Sequence, residues 1–292
     1  MILRPAGPDD AAAVAELFGS VEEMVLGRPS TLDEQAVHGW WQNIDFETNT
    51  WLFEEYGTFV AGAFGKVFGE RGNGAGAVRP SAQGRGLGTR LIQLLQERLA
   101  EEGARRIHSW ALAGDEDASE LFRLQGYGEA RRFWEMAIDF AEEPPEPTVP
   151  VEDFQERYAR AFHAAIEEAF EDHWEPHPEP FEAFWERQRA RTNYDPTLWF
   201  VIRDGDEIAA VARNEMRAGD GYVGVLGVRR PWRGRGYGRA LLLHSFREFH
   251  RRGARRATLG VDAASPTGAT HLYESVGMHV DQEEIVWEKQ LG

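Results

Sequence analysis

The sequence predicts a duplicated mixed α/β protein, and three observations carry that prediction. The first is a repeated block. Val78-Arg79-Pro80-Ser81-Ala82-Gln83-Gly84-Arg85-Gly86-Leu87-Gly88 has a counterpart 150 residues downstream, Val228-Arg229-Arg230-Pro231-Trp232-Arg233-Gly234-Arg235-Gly236-Tyr237-Gly238. The second is that the repeat continues: Gly103-Ala104-Arg105-Arg106 recurs as Gly253-Ala254-Arg255-Arg256, and Leu121-Phe122 and Gly126 recur as Leu272-Tyr273 and Gly277. The third is that short β-compatible runs alternate with amphipathic helical segments. Blocks in one order at nearly one spacing define a repeat, and a repeat governs how every later motif is interpreted.

The second copy shows the element order most clearly. Leu198 to Ile202 is a short apolar run closed by the turn Asp204-Gly205-Asp206. Strand-length runs Ile208 to Ala212 and Tyr222 to Val228 follow, then the glycine-rich loop. A helix is expected from about Arg239 to Arg252, because Leu242, Phe246 and Phe249 recur at helical spacing and Gly253 supplies a stop. Thr258 to Val261 reads as a strand, His271 to Val276 as a short helix and Glu284 to Trp287 as a last strand. In the first copy Ile92, Leu95 and Leu99 play the helical part before Gly103. Between the copies, Ala141 to Pro150 holds four prolines and three glutamates, which reads as a semi-rigid extended linker. The expected boundary falls there, giving an N-terminal domain 1–143 and a C-terminal domain 144–292.

Composition excludes several classes. The 292 residues are 42% hydrophobic with 17 Phe and 10 Trp, enough to build large cores rather than a disordered chain. No stretch approaches the ~18 apolar residues of a membrane span, and Met1-Ile2-Leu3-Arg4-Pro5 has no signal-peptide character. A soluble, cytoplasmic protein without membrane partners is expected, as a monomer or homodimer. The formal charge of −17 is a poor footprint for nucleic acid. It would favour a cationic or amine-bearing partner through steering. With no cysteine and only Lys66 and Lys289 as lysines, thiolate catalysis is excluded and Schiff-base catalysis has few candidates.

A strand, then Arg233-Gly234-Arg235-Gly236-Tyr237-Gly238, then a helix is a recipe for binding an anion. Glycines let successive backbone N–H groups converge, and the helix N-terminus adds partial positive charge. A phosphate-bearing ligand fits best, and the alternative is a turn without a ligand. A phosphate-binding P-loop needs Gly-Lys-Ser/Thr at its end, whereas Gly238 precedes Arg239-Ala240 and Gly88 precedes Thr89-Arg90. A dinucleotide loop has its third glycine one position later, and only the second copy has an acid, Asp262, near the ribose-binding position.

These residues resemble the acetyl-CoA loop of the GCN5-related N-acetyltransferases (GNAT). Gln83-Gly84-Arg85-Gly86-Leu87-Gly88 and Arg233 to Gly238 follow its Gln/Arg-x-x-Gly-x-Gly pattern, and Leu272-Tyr273-Glu274-Ser275-Val276-Gly277-Met278 is similar to its Leu-Tyr-Glu-x-x-Gly-Phe signature. The resemblance covers both halves and is to the double-domain arrangement of mycothiol synthase-like acetyltransferases. It implies two tandem GNAT domains, each a mixed, mostly antiparallel central sheet flanked by helices. It also implies direct acetyl transfer from acetyl-CoA, as co-substrate, to the amine of a small molecule, without a metal. Backbone groups around Leu226, Gly227 and Val228 would hold the pantetheine arm, and Arg233 to Arg239 the pyrophosphate. Ser265 stands near the family's CoA-contacting asparagine, or is a plain helix N-cap.

The same resemblance makes Tyr273 the general-acid candidate, against an ordinary core tyrosine. Phe122 replaces it in the first copy and cannot donate a proton, which places catalysis in the C-terminal domain. Related enzymes carry an acid on the strand before the loop, where Tyr222 stands here. Glu215 is the remaining candidate for a base, acting through water, against a structural glutamate. Asp172, His173, Trp174 and Tyr222 are expected around the acceptor. His173 and His177 are four apart, but Pro176 and Pro178 interrupt any helix there, so no metal site is expected. Two other functions compete: a catalytically decayed acetyl-CoA-binding regulatory protein, and a protein N-acetyltransferase.

Overall fold

The computed structural model describes residues 1–176, 178–191, 193–265 and 267–291. In chain order the first repeat forms β1 (Ile2–Arg4), α1 (Ala11–Leu26), α2 (Glu34–Trp40), α3 (Phe46–Asn49), β2 (Thr50–Glu55), β3 (Thr58–Phe68), β4 (Arg71–Val78), α4 (Leu87–Glu101), β5 (Arg106–Leu112), α5 (Glu116–Leu124) and β6 (Gly128–Asp139). The second forms β7 (Glu152–Asp153), α6 (Ala159–Phe170), α7 (Phe181–Arg189), β8 (Trp199–Asp204), β9 (Glu207–Arg217), β10 (Asp220–Val228), α8 (Tyr237–Arg251), β11 (Arg256–Asp262), α9 (Ala269–Ser275) and β12 (His279–Gln290).

The chain folds into two units that are not the two repeats. One comprises Met1–Arg132 with the segment from Gln282 onward, the other Phe133–Asp281. Unit 1 orders its strands β1-β2-β3-β4-β5-β12, and unit 2 orders them β7-β8-β9-β10-β11-β6. Every pairing within a unit is antiparallel except β4–β5 and β10–β11, so both sheets are mixed. The last strand of each repeat therefore completes the sheet of the other unit: β6 pairs with β11, and β12 with β5. This differs from a division at 143/144. Arg247 of α8 also donates to the Pro144 carbonyl at 2.8 Å and pairs with Glu143 at 2.6 Å, anchoring the linker. The stretch after β6 is thus fastened to unit 2 rather than free.

Helical spacing does what it promised. Leu242, Phe246 and Phe249 of α8 are fully buried against the sheet of unit 2, where Leu259 and Val261 of β11 join the same core. On the other face Phe162 of α6 stacks on Trp199 of β8, ring centroids 5.3 Å apart. Truncating one such phenylalanine to alanine costs about 3–5 kcal/mol. Asn214 of β9 donates to Ser245 Oγ of α8 at 2.9 Å, and Ser245 donates to the Leu241 carbonyl, fixing helix against strand. Gly253 ends α8 at φ +90°, with Ala254 N–H returning to the Phe249 carbonyl. Gly103 ends α4 identically at φ +92°, a closure that a left-handed residue makes possible.

Candidate active site

The loop between β10 and α8 presents backbone donors that no side chain caps among the described residues. Gly234 and Gly236 sit at φ +77° and +80°, and a methyl group at either would meet no atom within 4 Å. Gly236 is the N-cap of α8, and no side chain caps that end. The first N–H groups of a 15-residue helix are thus left for a ligand. Gly238 has another purpose: a methyl there would come within 2.9 Å of Leu272 Cδ2, so its absence lets α8 and α9 close together. Gly84, Gly86 and Gly88 repeat the arrangement before α4, with φ +71° and +77° at the first two and Leu121 Cδ2 at 2.7 Å from the third. Leu87 is buried, while Gln83 is half-buried.

Arginines brace this loop. Arg229 pairs with Glu168 of α6 at 2.6 Å and Glu207 of β9 at 2.8 Å. Arg233 donates to the Val228 and Ala169 carbonyls and to Asp172, and Arg235 reaches Asp204 at 3.4 Å. Arg239 is exposed and Tyr237 half-buried. In unit 1, Arg85 is paired with Glu55 at the corresponding place.

Ahead of the loop, β10 parts from its parallel neighbour. It pairs with β11 only at Gly221 and Tyr222, while its pairing to β9 runs on to Val228. Toward β11, the edge carrying Leu226, Gly227 and Val228 therefore has no ladder partner. β10 also carries a bulge between Val223 and Val225, centred on Gly224. A bulge re-aims backbone groups, here at the point where the strands separate. β4 parts from β5 after Gly74 in the same way, but its pairing with β3 is regular. β10 is the longer strand, nine residues against eight.

Tyr273 lies in the unit 2 core cluster, 7% exposed, with Val223, Leu259 and Val261. Its hydroxyl has no hydrogen-bond partner among the described residues. Burial pushes the hydroxyl up to about 12, so it stays protonated across the working range. Phe122, its counterpart, stacks on Trp287 with centroids 5.6 Å apart.

Glu215 is buried in an arginine cluster, accepting from Arg191 Nη2 at 2.5 Å and Arg217 Nε at 2.6 Å. Both oxygens are engaged. Tyr222 lies across the ladder from Glu215, with the Arg217 guanidinium carbon 3.3 Å from its ring centre. Asp172 is turned to the loop, pairing with Arg230 at 2.6 Å and Arg233 at 3.3 Å, and Arg230 first and then Arg233 hold its carboxyl below the usual range. His173 lies tilted against Phe170, ring centroids 4.2 Å apart, and burial lowers its imidazole. Trp174 lies 6.1 Å from Phe133. Ser265 bonds Thr267 Oγ1 at 3.0 Å and is not the cap of α9, which starts after Gly268. His177 and Pro266 lie outside the described residues.

Sequence reasoning missed Arg213 and Gln188. Arg213 donates Nη1 to Gln188 Oε1 at 3.1 Å, while its own Nε and the Gln188 Nε2 are buried without partners among the described residues. Burial brings its guanidinium down to about 10. A signal existed. Arg213 follows the apolar run Ile208 to Ala212, and its counterpart in the equally long β3 is Phe64.

The geometry agrees with comparisons to known proteins. The model of the Acetyltransferase (GNAT) family matches residues 18–127 and 151–278. A mycothiol acetyltransferase of Thermobifida fusca is 28% identical, aligned over 96% of this chain and 94% of its own. One from Thermobispora bispora is 30% identical over 68% of this chain and 70% of its own. Among solved structures, a GCN5-related N-acetyltransferase from Sphaerobacter thermophilus superimposes with TM-score 0.86 at 32% identity, covering 99% of this chain and 95% of that one. A tandem GNAT protein from the clavulanic acid biosynthesis pathway shares the fold at TM-score 0.72 and 12% identity, covering 100% and 98%.

Proposed function

The chain belongs to the acetyltransferase (GNAT) family and is a tandem-domain N-acetyltransferase, and from that premise we propose that unit 2 moves an acetyl group directly from acetyl-CoA to the amine of a small molecule. One observation carries the reading. Only unit 2 combines an uncapped glycine loop, a bulged strand parting from its neighbour, and a buried tyrosine hydroxyl on the helix beyond. Unit 1 keeps the loop, with a regular β4 and Phe122. That contrast supports a non-catalytic first unit.

In this reading the loop amides from Arg235 to Arg239 hold the diphosphate, and Arg233 and Arg239 add charge. The free edge at Leu226 to Val228 holds the pantetheine amides and aligns the thioester. An N–H re-aimed by the Gly224 bulge polarises its carbonyl. A neutral amine attacks, the C–N bond forms and the C–S bond breaks, and the amine's surplus proton leaves to water. Tyr273 donates a hydrogen bond to the sulfur as charge develops on it. A hydroxyl titrating near 12 keeps its proton against a thiol in the ordinary range of ~8.5, so its contribution is mainly stabilisation rather than complete transfer. With both oxygens of Glu215 committed to arginines, water is the simpler acceptor of the amine proton.

Calorimetry with acetyl-CoA, followed by a thiol-release assay over a panel of amines, tests the proposal. Binding with amine-dependent thiol release is expected. No binding at millimolar acetyl-CoA refutes it, and binding without turnover favours the decayed regulatory reading.

A further inference from the structure

The least economical feature of unit 2 is Arg213. Its side chain is 14% exposed, and two other arginines, Arg191 and Arg187, push against its charge while Glu215 supports it. Arg191, Arg213 and Arg217 surround the single carboxylate of Glu215, which lies 2.5 Å from Arg191, 2.6 Å from Arg217 and 4.0 Å from Arg213. The cluster holds excess positive charge inside a strongly acidic protein. Burying a guanidinium with unpaired donors is costly unless something completes it.

The donors left without partners have a specific geometry. Nη1 is taken by Gln188, while Nε is unpartnered and Nη2 makes no hydrogen bond among the described residues. Nε and Nη2 share one edge of the guanidinium, the edge that grips a carboxylate with two parallel bonds. Nη2 lies beside the bulge residue: a methyl group on Gly224 would come within 3.1 Å of it. The fold does not require an arginine there. In unit 1 the same strand position is Phe64, closed by Phe18 and Trp40 at 5.9 and 5.8 Å.

We propose that Arg213, with Gln188 beside it, is the carboxylate clamp of the acceptor site, so that the acceptor amine is an amino acid or a close analogue. The inference rests on the acetyltransferase reading of unit 2 and deepens it. Gly224 precedes Leu226 by two residues, about 7 Å at ~3.3 Å per strand residue. A carboxylate on Arg213 and an amine at the thioester are then only a few bonds apart, which suits α- and β-amino acids and not long diamines. Glu215, pinned by Arg191 and Arg217, lies 4.0 Å from Arg213 and partly offsets its charge. The acidity of the whole chain had pointed toward a cationic acceptor; the local charge points to a zwitterion.

The test compares L-amino acids with the corresponding amino amides, which keep the amine and lose the carboxylate, by acetyl-CoA-dependent thiol release. The wild type should prefer acids by at least ~100-fold in kcat/KM, as sites built around a charged hydrogen-bonding group do. In Arg213→Gln the acid-to-amide ratio should fall to within about 5-fold of one, with acetyl-CoA affinity within about 3-fold of wild type. Arg213→Lys keeps the charge without the fork and should give an intermediate ratio; it also decides the matter if the glutamine variant does not fold. Equal rates for acids and amides, no turnover of any acid, or an unchanged ratio in Arg213→Lys overturns the clamp. Failure to bind acetyl-CoA would instead overturn the acetyltransferase reading beneath it.

Discussion

Substituting Gly236 separates the backbone cost of the loop from its electrostatic purpose. Gly236 holds φ +80° and ψ 5°, and a side chain there points into open space. Alanine therefore meets no clash and bears only the left-handed conformational cost, about 1–2 kcal/mol. For a unit of this size that lowers Tm by roughly 2–8 °C. Acetyl-CoA affinity should change less than about 5-fold, since the N–H groups remain. Glutamate bears the same backbone cost and adds a charge to the proposed diphosphate site. At about 5 Å and an effective dielectric near 20, one charge against one phosphate oxygen is worth about 3 kcal/mol, roughly 10²-fold in affinity. Titration calorimetry at fixed salt should give Gly236→Glu about 10²–10³-fold weaker binding than Gly236→Ala, with thiol release abolished. The matching Gly86→Glu change in unit 1 should leave most turnover intact. Equal acetyl-CoA binding by the two Gly236 variants would refute the anion-loop argument, and loss of turnover in Gly86→Glu alone would move catalysis to unit 1.

Tyr273→Phe should lower kcat by about 10²–10³-fold with acetyl-CoA affinity within a few-fold, because the ring is kept; an unchanged kcat would demote the hydroxyl to packing. Because the folded hydroxyl titrates near 12 and an unfolded tyrosine near 10, its stabilising contribution is present below pH 10 and is lost as pH rises toward 12. Thermal melts should accordingly show the wild type losing more stability over that interval than Tyr273→Phe, and parallel curves would contradict the buried assignment. Gly238→Ala forces a methyl to 2.9 Å from Leu272 Cδ2, next to Tyr273, so about 1–3 kcal/mol of stability should be lost and kcat should fall more than acetyl-CoA affinity; a normal kcat in the destabilised variant would show that α9 need not be held in place. A fragment 144–292 lacks β6 with its buried Met136, and the buried Phe140 just after it, worth about 5–10 kcal/mol together, and should not give a cooperative melt, whereas 133–281 should. The reverse result would mean that each repeat supplies its own last strand.

What the sequence disclosed was local. The loops were legible because left-handed backbone at Gly84, Gly86, Gly234 and Gly236 needs glycine, whatever packs elsewhere. Helix α8 was legible from the spacing of Leu242, Phe246 and Phe249, and its end from Gly253. The exchange of β6 and β12 was not, because each strand carries a pattern suited to either sheet and its partner lies far away in sequence. β6 joins residues 133–139 to 256–262, and β12 joins 284–290 to 106–112. Tyr273 was accessible through its place after Leu272, but its burial and isolation were not. Arg213 was passed over because it ends an apolar run, where an arginine reads as the strand's exit into solvent. Aligning β9 on β3 would have set it opposite Phe64 and exposed the substitution.

If catalysis resides in unit 2 as proposed, a glycine loop is a poor guide to where chemistry occurs. Its shape follows from residues that tolerate positive φ, and that requirement persists whether or not a reaction follows, so both copies retain it. The differences fall elsewhere. β10 gained one residue over β4, and an unpaired residue in an antiparallel ladder has to appear as a bulge, here at Gly224. A bulge weakens the ladder, so it persists only where re-aimed backbone groups are used or tolerated; Arg213, packed on that same residue, adds a second cost in a buried, underpartnered charge. At the corresponding positions unit 1 has a regular β3–β4 ladder and Phe64 stacked on Trp40. Two destabilising features meeting at the point where β10 leaves β11 are what a reaction centre would require, and their joint absence from unit 1 is what a copy released from catalysis would show.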